Sequence, residues 1–338
     1  MTRTFFKMFS ENKIIYKITD ESLKIAKDYV THDKLVAFPT ETVYGLGANA
    51  LSDEAIKAVY TAKGRPLDNP LIVHVPPEYD ISKLVYDDEP YVKKIRDAFL
   101  PGPLTLVYRS KNVVSGYVSC GLETLAIRVP SHAGAQAFLR AVGVPVAAPS
   151  ANISKHTSPV TAMHVYNDFK DKIPMILDGG RSDGGIESTV MDVTGEYPVI
   201  LRKGLVTADM VEKIVGKCTY ASSDSELNKR SPGTKYRHYC PNTKTALYNR
   251  EEIEQAKKLY LSYVADGKTA CILCDDSLKN YFDGCNLLNL GKNGKEMASR
   301  LYYCLHEGEK YDILIGIRFE IADEVCLSVE NRFLKAFG

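Results

Sequence analysis

Short apolar runs separated by amphipathic segments recur along almost the whole 338-residue chain, and that alternation restricts it to an α/β architecture. Strand-like runs lie at Leu35–Pro39, Leu71–Val75, Leu104–Tyr108, Leu125–Val129, Val144–Ala148, Met175–Leu177, Thr189–Val193 and Val199–Leu201. Helical periodicity marks Ser22–Val30, Asp53–Ala62, Tyr91–Phe99 and Ala133–Ala141. Their irregular order predicts a twisted, mixed sheet with flanking helices. After Asn242 the alternation becomes regular, from TALYN and the helix Glu251–Val264 through TACILC, CNLLNL, the helix Lys295–His306 and YDILIGI to a final helix. Repeats of this kind imply a small parallel sheet with right-handed crossovers. No G-x-G-x-x-G or G-x-x-x-x-G-K-[ST] follows its strands, so it reads as a Rossmann-like shell without a nucleotide fingerprint. Between the two parts, Ala221–Asn242 is polar and punctuated by Pro232, Gly233 and Pro241, yet it carries Lys235, Tyr236, Arg237, His238 and Tyr239 in a row. It reads as a linker with chemistry. The expected division is 1–217, a linker at 218–242, and a C-terminal domain at 243–338.

Hydrophobic residues make up 45% and charged residues 25% of the chain, which excludes global disorder. With 43 basic and 42 acidic residues, the formal net charge is +1, which argues against a dedicated nucleic-acid-binding module. No apolar run approaches the roughly 18–20 residues of a membrane-spanning helix, and the N-terminal segment lacks a secretory pattern. The eight cysteines are scattered without repeated spacing, as expected for reduced thiols and a cytoplasmic location. Cys271 and Cys274 form a CxxC, but residues three apart on a strand face opposite ways, so both are expected in the core.

Four Gly- or Pro-punctuated clusters sit at strand ends, where α/β folds place ligands. FPTETVYGLGANA, Phe38 to Ala50, supplies hydroxyls and close backbone approach. KGRPLDNPLIVHV places Lys63 and Arg65 around Gly64, a clamp for a polyanion, with Asn69 and His74 following. Arg128 lies within the apolar strand TLAIRVP and therefore needs an anion, from the protein or from a substrate; Ser150 and Asn152 close VPVAAPSANIS. In DGGRSDGGIESTVMDVT, two Gly-Gly pairs precede Glu187, Ser188 and Thr189 and suggest an anion-binding concavity of backbone amides. Arg202 ends a further strand. No nucleophile or His-Asp pair is evident. Cations, hydroxyls and glycines suit chemistry on a polyphosphate, often with Mg²⁺. These residues point to a nucleotide-dependent transferase and leave adenylation and nucleotide sensing undecided.

In this order, FPTETVYGLGANA, KGRPLDNPLIVHV, PGPLT, LAIRVP, APSAN and GIESTVMD resemble the YrdC-type L-threonylcarbamoyladenylate synthases, and SPGTKYRHYCP with the α/β tail resembles their two-domain form. The resemblance implies a YrdC-like first domain and a nucleotidyltransferase that condenses L-threonine, bicarbonate or CO₂, and ATP to threonylcarbamoyl-AMP and pyrophosphate. The product feeds modification of tRNA next to the anticodon through separate transfer proteins, with direct tRNA binding weak or absent. It also implies a catalytic set of Lys63, Arg65, Ser150 and Asn152. The implied ATP site comprises Arg65, Asn69, Thr124, Ser150, Ser158, Arg202 and Tyr236; the threonine site comprises Thr42, His74, Arg128, Ala148 and Ser188. Arg128 is expected to pair the threonine carboxylate. Mg²⁺ is expected to arrive with ATP, without a dedicated protein site, and Tyr236, Arg237 and His238 to form a lid. The alternatives are an RNA-binding or ribosome-maturation factor using the same concave basic surface, and a carbamoyltransferase using carbamoyl phosphate.

Overall fold

The computed structural model describes residues 14–87, 89–222, 224–231 and 239–338. Within them, the first part of the chain builds a twelve-stranded mixed sheet from β1 (Ile15–Lys17), β2 (Val36–Phe38), β3 (Gly45–Asn49), β4 (Ile72–His74), β5 (Val85–Tyr86), β6 (Leu104–Ser110), β7 (Thr124–Arg128), β8 (Val146–Ala147), β9 (Met175–Asp178), β10 (Thr189–Asp192), β11 (Val199–Arg202) and β12 (Thr219–Tyr220). The order is β1-β9-β2-β3-β8-β4-β7-β6-β10-β11-β12, with β5 paired to β6. Helices α1 (Asp20–Thr31), α2 (Asp53–Lys63), α3 (Pro90–Phe99), α4 (Ala133–Val142), α5 (Ala162–Phe169) and α6 (Ala208–Val215) flank it. The expected mixed sheet and flanking helices are present.

Local sequence explains where the helix beside the future cleft begins and ends. Ser52 caps α2 through its hydroxyl, which accepts from Ala55 N. Gly64 ends it at φ +59°, a left-handed conformation that glycine adopts without a Cβ penalty. Ala55, Ile56, Val59 and Tyr60 are buried against the sheet. Lys63 is therefore carried on the last turn of a packed helix, not on a free loop.

The second sheet is wholly parallel, in the order β13 (Lys244–Tyr248), β16 (Ile313–Ile317), β14 (Ala270–Cys274), β15 (Leu287–Asn289), with α7 (Ile253–Ala265), α8 (Gly294–Gly308) and α9 (Glu324–Phe337) packed on it. Cys271 and Cys274 are both fully buried and join different apolar clusters on the two faces of β14; burial pushes both thiols up to about 12. Among the described residues no group of three or more His, Cys, Asp and Glu could hold a metal, and no helix is long and apolar enough to cross a membrane.

The two sheets share a core. Val43, Val160 and Ile186 from the first part cluster with Met297, Leu301, Tyr302, Val329 and Phe333 from α8 and α9. Gly185 permits this contact: at φ +69°, a Cβ on it would lie 2.2 Å from Ala298 O.

Candidate active site

One cleft opens where β2, β4, β7 and β8 end, lined also by residues of the 149–159 and 186–188 segments. Backbone hydrogen bonds assemble its floor. Tyr44 N donates to Pro159 O, Leu46 N to Pro149 O, Ala151 N to Tyr44 O and Ser154 N to Lys63 O. The stretches around 44–46, 63 and 149–159 thus form one rigid unit although they lie far apart in the chain.

Sheet register aligns the threonine-site candidates. His74 is paired with Arg128 on β4 and β7, Arg128 with Thr105 on β7 and β6, and the Thr105 hydroxyl is 2.8 Å from that of Ser188. His74 is held neutral, down to about 3, by burial and then by the Arg128 charge.

The four cations have different partners. Lys63 is 2% exposed, and its Nζ donates to the carbonyls of Ser150 (2.6 Å) and Asn152. Arg65 donates to Asn69 O and Pro70 O. Among the described residues neither is ion-paired to a carboxylate, so burial holds both pKa values below their ordinary range, with their mutual repulsion adding to the effect on Lys63. Carbonyl dipoles leave the charge of Lys63 and Arg65 available to an incoming anion. Arg202 donates to Ser188 O at 3.0–3.1 Å and to its hydroxyl at 3.2 Å.

Arg128 is different. Its Nη2 lies 2.8 Å from Glu41 Oε1. Burial raises the Glu41 pKa, but the Arg128 charge and hydrogen bond, with nearby backbone amides, outweigh this and hold it below the usual range. The protein itself thus supplies an anion of the kind that the strand sequence demanded. Glu41 was missed because a lone carboxylate in a turn carries no sequence signal. Arg128 Nε and Asn152 Oδ1 are buried and have no hydrogen-bond partner among the described residues, as expected where a ligand completes a site.

Of the candidates, Thr42, Lys63, Arg65, His74, Arg128, Ala148, Ser150, Asn152, Ser158, Ser188 and Arg202 line this cleft. Asn69 and Thr124 are not among its lining residues. Asn69 is buried beside it and uses its carbonyl to hold Arg65. Thr124 opens β7 and lines a separate shallow pocket with Arg109 and Arg230. Tyr236, with the rest of the lid expected at Tyr236–His238, lies outside the described residues; Tyr239 does line the cleft, and burial pushes its hydroxyl up to about 12.

Two expectations are corrected. The glycine run is not an amide nest: Gly179 N donates to Tyr44 Oη, Gly180 N to Asp178 Oδ1 and Gly184 N to Glu41 O, while Gly185 packs under α8. A His-Asp pair exists: His156 Nδ1 lies 3.2 Å from Asp168 Oδ1 at the cleft rim, and Asp168 raises the His156 pKa. Twelve residues separate the two, and α5 brings the aspartate back.

Comparison with known proteins decides what kind of cleft this is. A family model described as "Telomere recombination", spanning the Sua5, YciO and YrdC proteins, matches residues 28–204, and one described as "Threonylcarbamoyl-AMP synthase, C-terminal domain" matches residues 206–338. The chain belongs to the threonylcarbamoyl-AMP synthase family. Curated members from Pyrococcus abyssi and Bacillus subtilis are 36% and 37% identical to it, covering 95% and 94% of this chain and 96% and 94% of theirs. The crystal structure of P. abyssi Sua5 complexed with L-threonine superposes with a TM-score of 0.84 at 36% identity, covering 96% of each chain. The two-domain organisation, including the small parallel C-terminal sheet, is therefore that of the longer family members.

Proposed function

We propose that this cleft condenses L-threonine, bicarbonate or CO₂, and ATP to threonylcarbamoyl-AMP and pyrophosphate, the activity for which the family is named. The observation that carries the reading is the pair Lys63, buried, and Arg65, half-buried, which donate to backbone carbonyls and have no carboxylate partner among the described residues, and which line the cleft with Ser150 and Asn152. Such a pair favours an arriving polyphosphate over any neutral ligand.

The threonine amine attacks the carbon of CO₂ and loses a proton, giving the carbamate; from bicarbonate the same carbamate forms with loss of a water molecule. A carbamate oxygen then attacks the α-phosphorus, and the bond to the β-phosphate oxygen breaks, releasing pyrophosphate. Lys63, Arg65 and Arg202 meet the charge that develops on the leaving group, while Ser150 and Asn152 orient the phosphate and carbamate oxygens. Thr42, His74 and Ser188 surround the amino acid. Neutral His74 offers a lone pair or an N–H to the threonine hydroxyl without adding charge. Arg128, already paired with Glu41, takes the threonine carboxylate by sharing its guanidinium between the two anions. Magnesium neutralises phosphate charge when bound. Among the described residues Glu187 is the carboxylate lining the cleft and Glu41 lies behind Arg128; each is held by an arginine, so the donor set fits an ion carried in by the triphosphate.

The chemistry places a separate transferase downstream, because the product is an activated acyl adenylate that needs an acceptor nucleophile; for the family this is tRNA. An RNA-binding factor is the weaker reading: two of the four cleft cations, Lys63 and Arg128, are buried, where a nucleic-acid backbone does not reach them. The test is pyrophosphate release from ATP and bicarbonate with and without threonine, with the adenylate identified by mass. Release that is independent of threonine, with no adenylate, overturns the proposal.

A further inference from the structure

The C-terminal domain reaches the cleft wall from behind through one buried carboxylate. Glu187 is 7% exposed and directly precedes Ser188. Its Oε1 accepts from the Ser158 hydroxyl (2.7 Å) and from Tyr302 Oη (3.0 Å); Oε2 accepts from Tyr302 Oη (2.8 Å) and from Arg332 Nε (3.2 Å). Tyr302 is on α8 and Arg332 on α9, and Arg332 is 1% exposed. The same two helices grip the neighbouring wall. Ser328 donates its hydroxyl to Gly204 O, two residues beyond Arg202, and His306 Nε2 lies 3.1 Å from Ser158 O. Tyr302 also stacks on Tyr239, their ring centres 5.3 Å apart.

Three cleft-lining residues, Ser158, Ser188 and Arg202, are therefore fixed by groups of the second domain that touch no substrate site. We propose that Tyr302 and Arg332 are positioning residues for the condensation: by anchoring Glu187 they hold Ser188 and Arg202 in register, so that the cleft is complete only when both domains are present. The proposal rests on the reading of the cleft given above.

The electrostatics give this anchor a direction. Burial opposes ionisation of Glu187, but Arg332 and then Arg202 overcome it, with help from Ser158 and Tyr302, and hold the carboxyl down to about 2. Among the described residues, Arg202, Tyr239, Tyr302, Arg332 and Lys335 are the charged or titratable groups around it. Without the Arg332 charge, Arg202 is the guanidinium left to act on Glu187 among the described residues. It is drawn from Ser188 toward Glu187 and out of the place it needs for the nucleotide.

The experiment uses the full-length chain with Arg332→Met, Tyr302→Phe and Arg332→Lys, measuring kcat and KM for ATP and threonine across pH 5–9, thermal unfolding, and binding of a non-hydrolysable ATP analogue by calorimetry. In Arg332→Met, displaced wall residues cost roughly tenfold to a hundredfold in kcat/KM. The KM for ATP rises more than that for threonine, and a new acid limb appears as Glu187 begins to protonate within the assayed range. Arg332→Lys, which restores the charge, removes the acid limb and recovers most of the loss. Tyr302→Phe, which keeps the arginine, shows the smaller KM effect without the limb. Wild-type KM values and a flat profile in Arg332→Met and Tyr302→Phe overturn the proposal, as does a loss that follows only the fraction of folded protein. Should Arg332→Met not fold, Tyr302→Phe and Arg332→Lys carry the same decision. A wild-type chain without threonine-dependent pyrophosphate release refutes the reading of the cleft instead, and the analogue-binding comparison still decides whether Arg332 positions Arg202.

Discussion

Lys63→Met is the substitution whose consequences follow most directly from the geometry. The ammonium is 2% exposed, is neutralised by no carboxylate among the described residues, and has a pKa well below the ordinary 10.5 because of burial and then Arg65. A fixed donor of this kind at a developing negative charge contributes about 2.7–4 kcal/mol, so turnover falls by about two to three decades. The same loss registers without catalysis. A ligand at 100 times its Kd stabilises the folded protein by about 2.7 kcal/mol. If the substitution weakens binding a hundredfold, that concentration equals the new Kd, and the stabilisation falls to RT ln 2, about 0.4 kcal/mol. Calorimetric unfolding with and without a non-hydrolysable ATP analogue measures this, beside threonine-dependent pyrophosphate release. Turnover within threefold of the wild type, or an undiminished ligand-induced shift, refutes the claim that Lys63 grips the triphosphate.

Arg65→Ala loses activity on the same scale, about two to three decades, and the pyrophosphate assay reads it. The lowered pKa of Lys63 means that the empty protein holds less of this proton than the unfolded chain at alkaline pH. A bound polyanion favours the charged form, so ATP binding at alkaline pH takes up protons, seen as a dependence of the calorimetric enthalpy on buffer ionisation heat; proton release or no exchange contradicts the assignment. Arg128→Met strands the buried Glu41 carboxylate and lowers unfolding stability by about 3 kcal/mol or more, whereas Arg128→Met combined with Glu41→Leu recovers much of it; denaturant titration separates the two. The depressed pKa of Glu41 implies stability that is present above its ordinary 4.5 and is lost as pH falls through the folded value; Arg128→Met abolishes this acid-side slope. Gly185→Ala forces a Cβ to within 2.2 Å of Ala298 O at positive φ and therefore loosens the interdomain core, lowering the melting temperature; an unchanged melt means that α8 is not held there.

Periodicity and punctuation placed eight of the twelve strands of the first sheet, the four strands of the second and four of the six helices α1–α6, because each of these is a local property; β1 (Ile15–Lys17), β3 (Gly45–Asn49), β5 (Val85–Tyr86), β12 (Thr219–Tyr220), α5 and α6 were not marked, and much of the cleft set was named through the family resemblance. A strand end, a Gly64 cap or a Lys-x-Arg spacing is written within a dozen residues. Pairings between distant charges are not. Glu41 with Arg128 spans β2 to β7, Glu187 reaches Arg332 across 145 residues, and Asp168 finds His156 only after α5 folds back. A pattern of apolar and polar positions tells which face of an element is covered, not which charge covers it. The second Gly-Gly pair illustrates the point: glycine signals close approach, and the identity of the group approaching Gly185, Ala298 of α8 rather than a phosphate, depends on how segments more than a hundred residues apart in the chain pack to share a core.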